Sequence, residues 1–419
     1  MKYTYIILVI IFLSVSCRNK VNYWGLKYQD LKTTDFRNLK VNSENIKTIS
    51  IPSVIGNQKW IKASNLVDSC FAIALETNNN NLIGTIDEIR IYNGNIFILD
   101  KRIAKAVFVF NMDGKYLRRI GKNGRGPGEY PRPDGFEIDK KNKELLISST
   151  SIRKILRYDF EGNFLGNIKP QVGNYDFKIT DNGNIVLLAG DHENAHLGEL
   201  KNRIVYVIDK KGNIISYGPS NSSDFKEVKM TQGRNLMANN YEITYSYKLS
   251  DTIYSINENE INAQYKIDFG KSGIDREELK SKNTGEFLKA VEKGENSPAF
   301  YLGTQFQTND YLYFQFNYNK KIIDCFYNKN QSKTIAGVVS NDTPEIICVS
   351  PFFAAYKDYL IASVDAHYLM GIEEMLRKNN PLTHETLLKL VGSDGEFKIK
   401  KNDNPVLFFY KFKKEYNEN

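Results

Sequence analysis

Short apolar runs separated by Asn, Asp and Gly recur along this chain from residue 66 to its end. Runs of that length and spacing predict β-strands joined by tight turns. One unit repeats visibly: VFVFNMDGKYL at 107–117 returns as ILRYDFEGNFL at 155–165 and as VYVIDKKGNII at 205–215. Its turn glycines, Gly114, Gly162 and Gly212, are spaced 48 and 50 residues apart. A period of roughly 40–50 residues holding several short strands marks a propeller blade.

Laid out on that period, the chain is expected to be all-β, a six-bladed β-propeller. Blade 1 takes strands near Ile83–Ile91, Asn95–Leu99, Ala106–Phe110 and Tyr116–Ile120, with Asn93-Gly94 and Asp113-Gly114 as hairpin turns. Blade 2 runs from Gly135 through Leu145–Ser148 and Lys154–Tyr158 to Phe164–Ile168. Blade 3 contains Tyr175–Thr180, Ile185–Ala189, Ile204–Ile208 and Ile214–Tyr217. Blade 4 is less regular, with Tyr241–Tyr247, Asp251–Ile256 and Ala263–Phe269. Blade 5 has Tyr301–Gln307, Tyr311–Phe316, Lys321–Tyr327 and Lys333–Ala336. Blade 6 shows three strands only, Phe352–Tyr356, Tyr359–Val364 and Val406–Phe412. Its missing strand is expected from the N-terminal segment Val67–Leu75, which closes the ring and leaves no open edge.

Two stretches, 275–291 and 369–390, carry Glu, Lys and Leu at helical spacing, the second split by Asn379-Asn380-Pro381. With strands labelled A to D from the channel outward, B–C and D–A connections emerge on one face. Both helical insertions, the glycine-rich loop 121–133 and the long loop 191–203 fall there. That looped face is the expected functional surface, since long loops on a rigid scaffold carry function.

The N-terminus adds a targeting signal. Lys2 precedes an apolar run from Tyr5 to Leu13, too short for a permanent span, which ends at Ser14-Val15-Ser16-Cys17. The expected organisation is a lipoprotein signal peptide over 1–17, with Cys17 as the lipidated residue, a polar tether over 18–44, and the propeller over 45–419. Ser14 departs from the usual aliphatic residue of a lipidation signal. Three cysteines remain, Cys70, Cys325 and Cys348, an odd number that excludes a full disulfide framework. One Cys325–Cys348 bridge is compatible with an exported protein, and nothing in the spacing requires it. The net charge of +8 is spread along the chain without a basic stripe, which argues against nucleic-acid binding.

The chain resembles the six-bladed β-propeller lipoproteins of Bacteroidetes, relatives of NHL-repeat propellers. The likeness rests on Leu75-Glu76-Thr77, Phe97-Ile98-Leu99-Asp100, the 108–114 turn, the Ile120–Tyr130 loop, Asp251-Thr252-Ile253-Tyr254 and Asn404-Pro405-Val406-Leu407. The resemblance implies a propeller in the cell envelope, held to the membrane, with the outer membrane expected, through its lipid anchor alone. It implies no catalytic residues.

Candidate sites are few. The loop Gly121–Tyr130 is crowded with glycine, but Pro131, Pro133 and a strand follow where a phosphate site needs a helix N-terminus. It is expected to be a crossing between blades, with Arg125 and Glu129 as charged groups that either bind a ligand or pair with each other. His192 and His196, beside Asp191 and Glu193, lack the helical setting and third ligand that a metal site needs. His192 is retained as a ligand-binding candidate, and no metal or cofactor is assigned. Asp100 and similar strand-end acids are expected to cap turns. No Gly-x-Ser-x-Gly elbow is present. The expected function is a lipid-anchored envelope module that binds a small extracellular ligand or an envelope protein through its looped face. The alternative is a cation-dependent hydrolase or lyase at the channel mouth.

Overall fold

Sixfold repetition in the chain becomes a ring of six antiparallel blades. The computed structural model describes residues 36–51, 60–189, 192, 194–220, 236–239, 242–246, 249–275, 289, 298–392 and 395–417. Cys17, Asp191, Glu193 and nearly all of the 275–291 insertion therefore lie outside the described residues. The innermost strands are Glu88–Tyr92, Gly135–Asp139, Asp176–Ile179, Leu236–Asn239, Phe300–Gln307 and Ala354–Tyr356. Each packs on the next, and Ala354–Tyr356 returns to Glu88–Tyr92, so the six blades form a closed propeller.

Six apolar clusters fill the six blade interfaces. Within the second strand of blade 1, Ile96 and Ile98 face blade 6 while Phe97 and Leu99 face blade 2. Leu145 and Ile147 of blade 2 likewise face blade 1, and Leu146 faces blade 3. A strand buried on both faces reads as a continuous apolar run, which explains the uninterrupted I-F-I-L and L-L-I segments.

The sixth blade closes as expected. Val67–Ala74 pairs antiparallel with Val406–Phe412 as the outermost strand, register Val406↔Ala74 to Phe412↔Val67. Asn404 pins this joint from a buried position. Its backbone N–H donates to Thr77 Oγ1 (2.8 Å), its amide donates to the Glu76 and Asn81 carbonyls (2.8 and 3.0 Å), and its Oδ1 accepts from Ile83 N–H (2.9 Å).

The repeated turn has a side-chain explanation. Asn111, Asp159 and Asp209 each accept two backbone N–H bonds from the turn that follows, at 2.8 to 3.0 Å. Such Asx turns let a short polar side chain take the place of a backbone acceptor. Asn257 and Asn328 do the same in blades 4 and 5, where the glycine is absent and the repeat escapes notice in the sequence. Gly212 is needed in its turn for two reasons: its φ is +93°, and an added Cβ would sit 2.4 Å from the Lys169 carbonyl of the preceding blade.

Two features depart from the expected layout. Blade 4 has a fourth strand, Leu236–Asn239, upstream of the run read as its first; that run supplies the second strand, Glu242–Tyr245. The other departure is at the rim. Arg37–Asn38, Val41–Asn42, Lys47–Ser50 and Trp60–Lys62 add in parallel to the outer edges of blades 3, 4, 4 and 5. From Phe36 onward the chain belts the ring, so residues 36–44 of the expected 18–44 tether lie along the rim, while 18–35 fall outside the described residues. Leu39, Ile49, Ile51 and Ile61, buried against the rim, anchor this belt between polar neighbours. Cys70, Cys325 and Cys348 are free thiols, so the Cys325–Cys348 bridge is not formed.

Replacing Asn404 with Ala leaves several buried backbone partners unmatched, and each such group costs about 1–3 kcal/mol. The urea midpoint should fall by the equivalent of about 3 kcal/mol, with the m-value unchanged if the ring still opens cooperatively.

Candidate functional site

The inner strands place ionisable groups around the channel. The Arg90 guanidinium meets Glu137 (2.5 and 3.3 Å) and Glu88 (3.3 Å), and Lys101 meets the other Glu88 oxygen (2.8 Å). Lys178, buried, reaches Glu137 (3.0 Å) and Asp176 (3.1 Å). Burial works against the charge of both cations, yet the facing carboxylates outweigh it and raise both pKa values. This network runs through the inner strands of blades 1, 2 and 3, and Asp176 also accepts from Leu236 N–H of blade 4 (3.3 Å). Each of these carboxylates already faces a cation of the chain itself. A cavity of about 340 Å³ lies at the tight-turn end of the channel, lined by Arg90, Tyr92, Glu137, Asp181, Glu242 and Lys357 among others. Among the described residues no three His, Cys, Asp or Glu side chains gather as a metal-ligating set.

The looped face is built differently. Its connections include the crossing 121–134, the loop 189–204 and the helices α1 (Ala366–Asn379) and α2 (Pro381–Val391), all on the expected side of the disc. Asn380 divides the helices and caps α2, its Oδ1 accepting from Thr383 N–H (3.2 Å). Leu369, Leu376 and Leu387 sink into the blade 5–6 core.

A cavity of about 580 Å³ opens on this face between blades 2 and 3. Arg132, Ser149, Thr150, Ser151, Arg153, Lys154, Asn174, Tyr175 and His192 line it over Ile155, Pro170 and Val172. None of its described lining residues is Asp or Glu. Its walls are tied together. Asp134 accepts from Thr150 N–H (2.7 Å) and Oγ1 (2.6 Å) while pairing with Arg132 (2.8 Å). The Ser149 hydroxyl donates to the Arg132 carbonyl (2.6 Å). Opposite, Asn194 clamps the Gly173 backbone through its Oδ1 (2.7 Å) and Nδ2 (3.2 Å), and His196 Nε2 meets the Gln171 carbonyl (2.8 Å). Thr150–Ile152 forms a single 3₁₀ turn that Arg153 ends in a left-handed conformation, φ 53°.

Of the residues singled out in the sequence, His192 lies on this cavity wall, whereas Arg125 and Glu129 do not line it. Arg125 is exposed at the tip of the glycine loop. Glu129 does not staple to the Arg125 guanidinium; it pairs with Lys122 (3.4 Å) and accepts from Gly126 N–H (2.9 Å). The Gly126 N–H first, then Lys122, holds its carboxyl below the usual range. A Cβ at Gly124 would lie 2.0 Å from Glu129 Oε2, so a larger residue there would push the carboxylate aside. The loop is a small two-stranded crossing, Lys122–Asn123 beside Glu129–Tyr130, with no helix behind it. Asp100 caps turns as expected, accepting from Gly84, Thr85, Arg102 and Ile103 N–H groups at 2.8 to 3.2 Å. Arg132, Arg153 and Lys154 were not singled out from the sequence; the run Ser148-Ser149-Thr150-Ser151 before Arg153 was their only local signal.

A family profile for a domain of unknown function, DUF4934, matches residues 46–411. The chain belongs to the DUF4934 family. Among solved structures, the DUF4934 chain is similar to a candidate exported protein of Bacteroides fragilis, at TM-score 0.68 and 18% identity, over 90% of this chain and 100% of that one. It is similar in broader outline to a DUF4221-family protein of Bacteroides vulgatus (TM-score 0.47, 13% identity, 83% and 97% covered). The same holds for virginiamycin B lyase from Staphylococcus aureus (TM-score 0.38, 14% identity, 70% and 80% covered). The first of these likenesses bears on the propeller fold of the DUF4934 chain. No curated protein matches it.

Two outcomes follow from these charges. Lys178→Met strips Asp176 of a buried partner and should destabilise the protein by about 3 kcal/mol in chemical denaturation. The double variant with Asp176→Asn should recover part of that loss. Burial is the main cause that lowers the His196 pKa. Between that lowered value and the ordinary histidine value, the unfolded chain binds a proton that the folded chain does not, so stability rises with pH across the window. Melting temperature should therefore fall as pH drops from 7 to 5, and His196→Gln should flatten the slope.

Proposed function

We propose that this DUF4934 protein is a lipid-anchored module of the cell envelope that binds a ligand or protein partner through its looped face. One observation carries the reading: the long connections and the larger cavity share one side of the disc, while the other side keeps short Asx-capped turns. His192 belongs to this binding surface, with Arg125 at an exposed loop tip on the same face and Glu129 acting by shaping that loop. The apolar run ending at Cys17 supports export and lipidation, with the outer membrane as the site. Likeness to a candidate exported Bacteroides protein agrees with that location. Glu88, Glu137 and Asp176 at the propeller centre each face Arg90, Lys101 or Lys178, which favours binding over cation-dependent catalysis there.

Deleting 369–390 would remove core side chains, so the test uses exposed positions. Tyr368 and Met375 stand out from α1 at 69% and 52% exposure. A Tyr368→Lys/Met375→Lys/His192→Ala variant should lose partners recovered from envelope extracts, while Lys357→Gln on the opposite face should retain them. Equal recovery by both variants would sink the looped-face assignment. Cys17→Ala should move the protein from the membrane to the soluble fraction.

A further inference from the structure

We infer that residues 22–26 carry the belt one blade further, as a strand along the bare outer edge of blade 2. The interval of the belt is the first ground. Asn38, Ser50 and Lys62 pair with Tyr217, Asp268 and Ser340, each the last residue of the outer strand of blades 3, 4 and 5. Positions 38, 50 and 62 keep a constant interval of twelve residues. The residue after each, Leu39, Ile51 or Ala63, is buried in the rim, as are Ile49 and Ile61 on the near side of two of them. The Leu39 and Ile51 N–H groups donate to the Tyr217 and Asp268 carbonyls, both at 2.8 Å. Upstream of Phe36 the chain offers the same apolar flanks in Trp24-Gly25-Leu26, with Gly25 thirteen residues before Asn38.

The second ground is the edge itself. Phe164–Ile168 is the outermost strand of blade 2, and no strand among the described residues pairs with its free side. Phe164 and Leu165 are 38% and 47% exposed, whereas Ile214, in the place of Phe164 in the blade 3 repeat, is 1% exposed beside the belt. An open edge that carries apolar side chains is a surface for another strand. The turn glycines set the register. Tyr217 lies five residues after Gly212, and the same place after Gly162 is Asn167. Gly25 opposite Asn167 brings Leu26 opposite Ile168 and Trp24 opposite Gly166. A Cβ added to Gly166 would meet nothing within 4 Å, so there is room beside it for the indole.

Continuity names the occupant. Phe36, where the belt begins among the described residues, packs into the seam between blades 2 and 3, in the cluster that holds Ile168 and Ile214. The chain upstream of Phe36 therefore starts at the very end of the blade 2 edge, and a parallel partner is supplied by the same chain without a second molecule. The consequence, which rests on the lipidation of Cys17 proposed above, is a shorter leash. Residues 18–35 fully extended reach about 60 Å, and residues 18–21 reach about 14 Å. Docking thus holds the blade 2 rim close to the membrane and leaves both faces of the disc clear of it.

Two measurements on purified protein spanning residues 18–419, made without the lipid, test the docking. Gly25→Cys/Asn167→Cys protein, oxidised with copper phenanthroline and mapped by peptide mass spectrometry, should form a 25–167 bridge within one chain. Gly25→Cys/Lys357→Cys, with its second cysteine on the tight-turn face, should not bridge. Trp60→Phe leaves Trp24 as the sole tryptophan of the chain. Quenching of Trp24 by acrylamide should be several-fold weaker in the folded protein than in urea. Leu26→Asp should raise it to the urea level, while Leu117→Lys on the blade 1 edge should leave it low. Equal yields of the 25–167 and 25–357 bridges, bridges between chains only, equal quenching of folded and unfolded protein, or indifference to Leu26→Asp would overturn the docking. The lipid plays no part in either measurement. Any of those results beside a Cys17→Ala protein that still leaves the membrane would remove the docked strand and keep the lipid anchor.

Discussion

Everything in this molecule depends on one strand pairing made across the whole chain. Val67–Ala74 completes blade 6 by bonding to Val406–Phe412, and only then does blade 6 present a full face to blade 1. A propeller blade buries both of its faces against neighbours, so an open ring would leave two apolar faces and a free edge in water. Ile73 and Leu75 enter the interface with blade 1 alongside Leu407 and Phe409, so the hydrogen-bonded joint and the apolar seam form together. Asn404 stands at the corner where they meet and satisfies the backbone of the returning loop.

With the ring closed by apolar seams, polarity is left to the centre and the faces. The centre holds a chain of alternating charges on inner strands, in which Arg90 and Lys178 bridge carboxylates from neighbouring blades. Such a buried network specifies how blades meet more than it adds net stability. The tight-turn face is consumed by its own capping, since Asn111, Asp159, Asp209, Asn257 and Asn328 spend their side chains on the turns. The looped face instead carries the long connections. There Ser149, Thr150, Ser151 and Asn174 line a cavity whose walls are already bonded together.

Much of this architecture is legible in the sequence, and the reasons are local. Strands buried on both faces read as apolar runs, and Asn93-Gly94 announces a turn in which both residues have positive φ. The closing strand was inferred from a blade with three strands, a counting argument that holds because edges are costly. The belt was not legible: Arg37–Asn38 and Val41–Asn42 are only two residues each and exposed, and their pairing depends on distant rim strands. Leu236–Asn239 was missed because four residues give too little periodicity. The cavity cations were hidden for a different reason. Arg132, the adjacent Arg153 and Lys154, and His192 come from three connections and share a surface only through the ring. Arg125 and Glu129 drew attention through a crowded motif whose glycines serve close packing within the loop.

The closing pair also has a meaning in time. Synthesis delivers residues 67–74 long before their partners 406–412, so this pairing becomes available only after the intervening blades have emerged. Contacts of such separation slow folding, because loop closure is costly before any reward. Until Val406 emerges, the first strand has no mate, and five finished blades cannot seal themselves into a disc. The latch therefore works as a length gauge: a chain cut short before its final strand keeps its repeats yet stays an open, sticky arc, readily distinguished from the finished protein by proteases and chaperones.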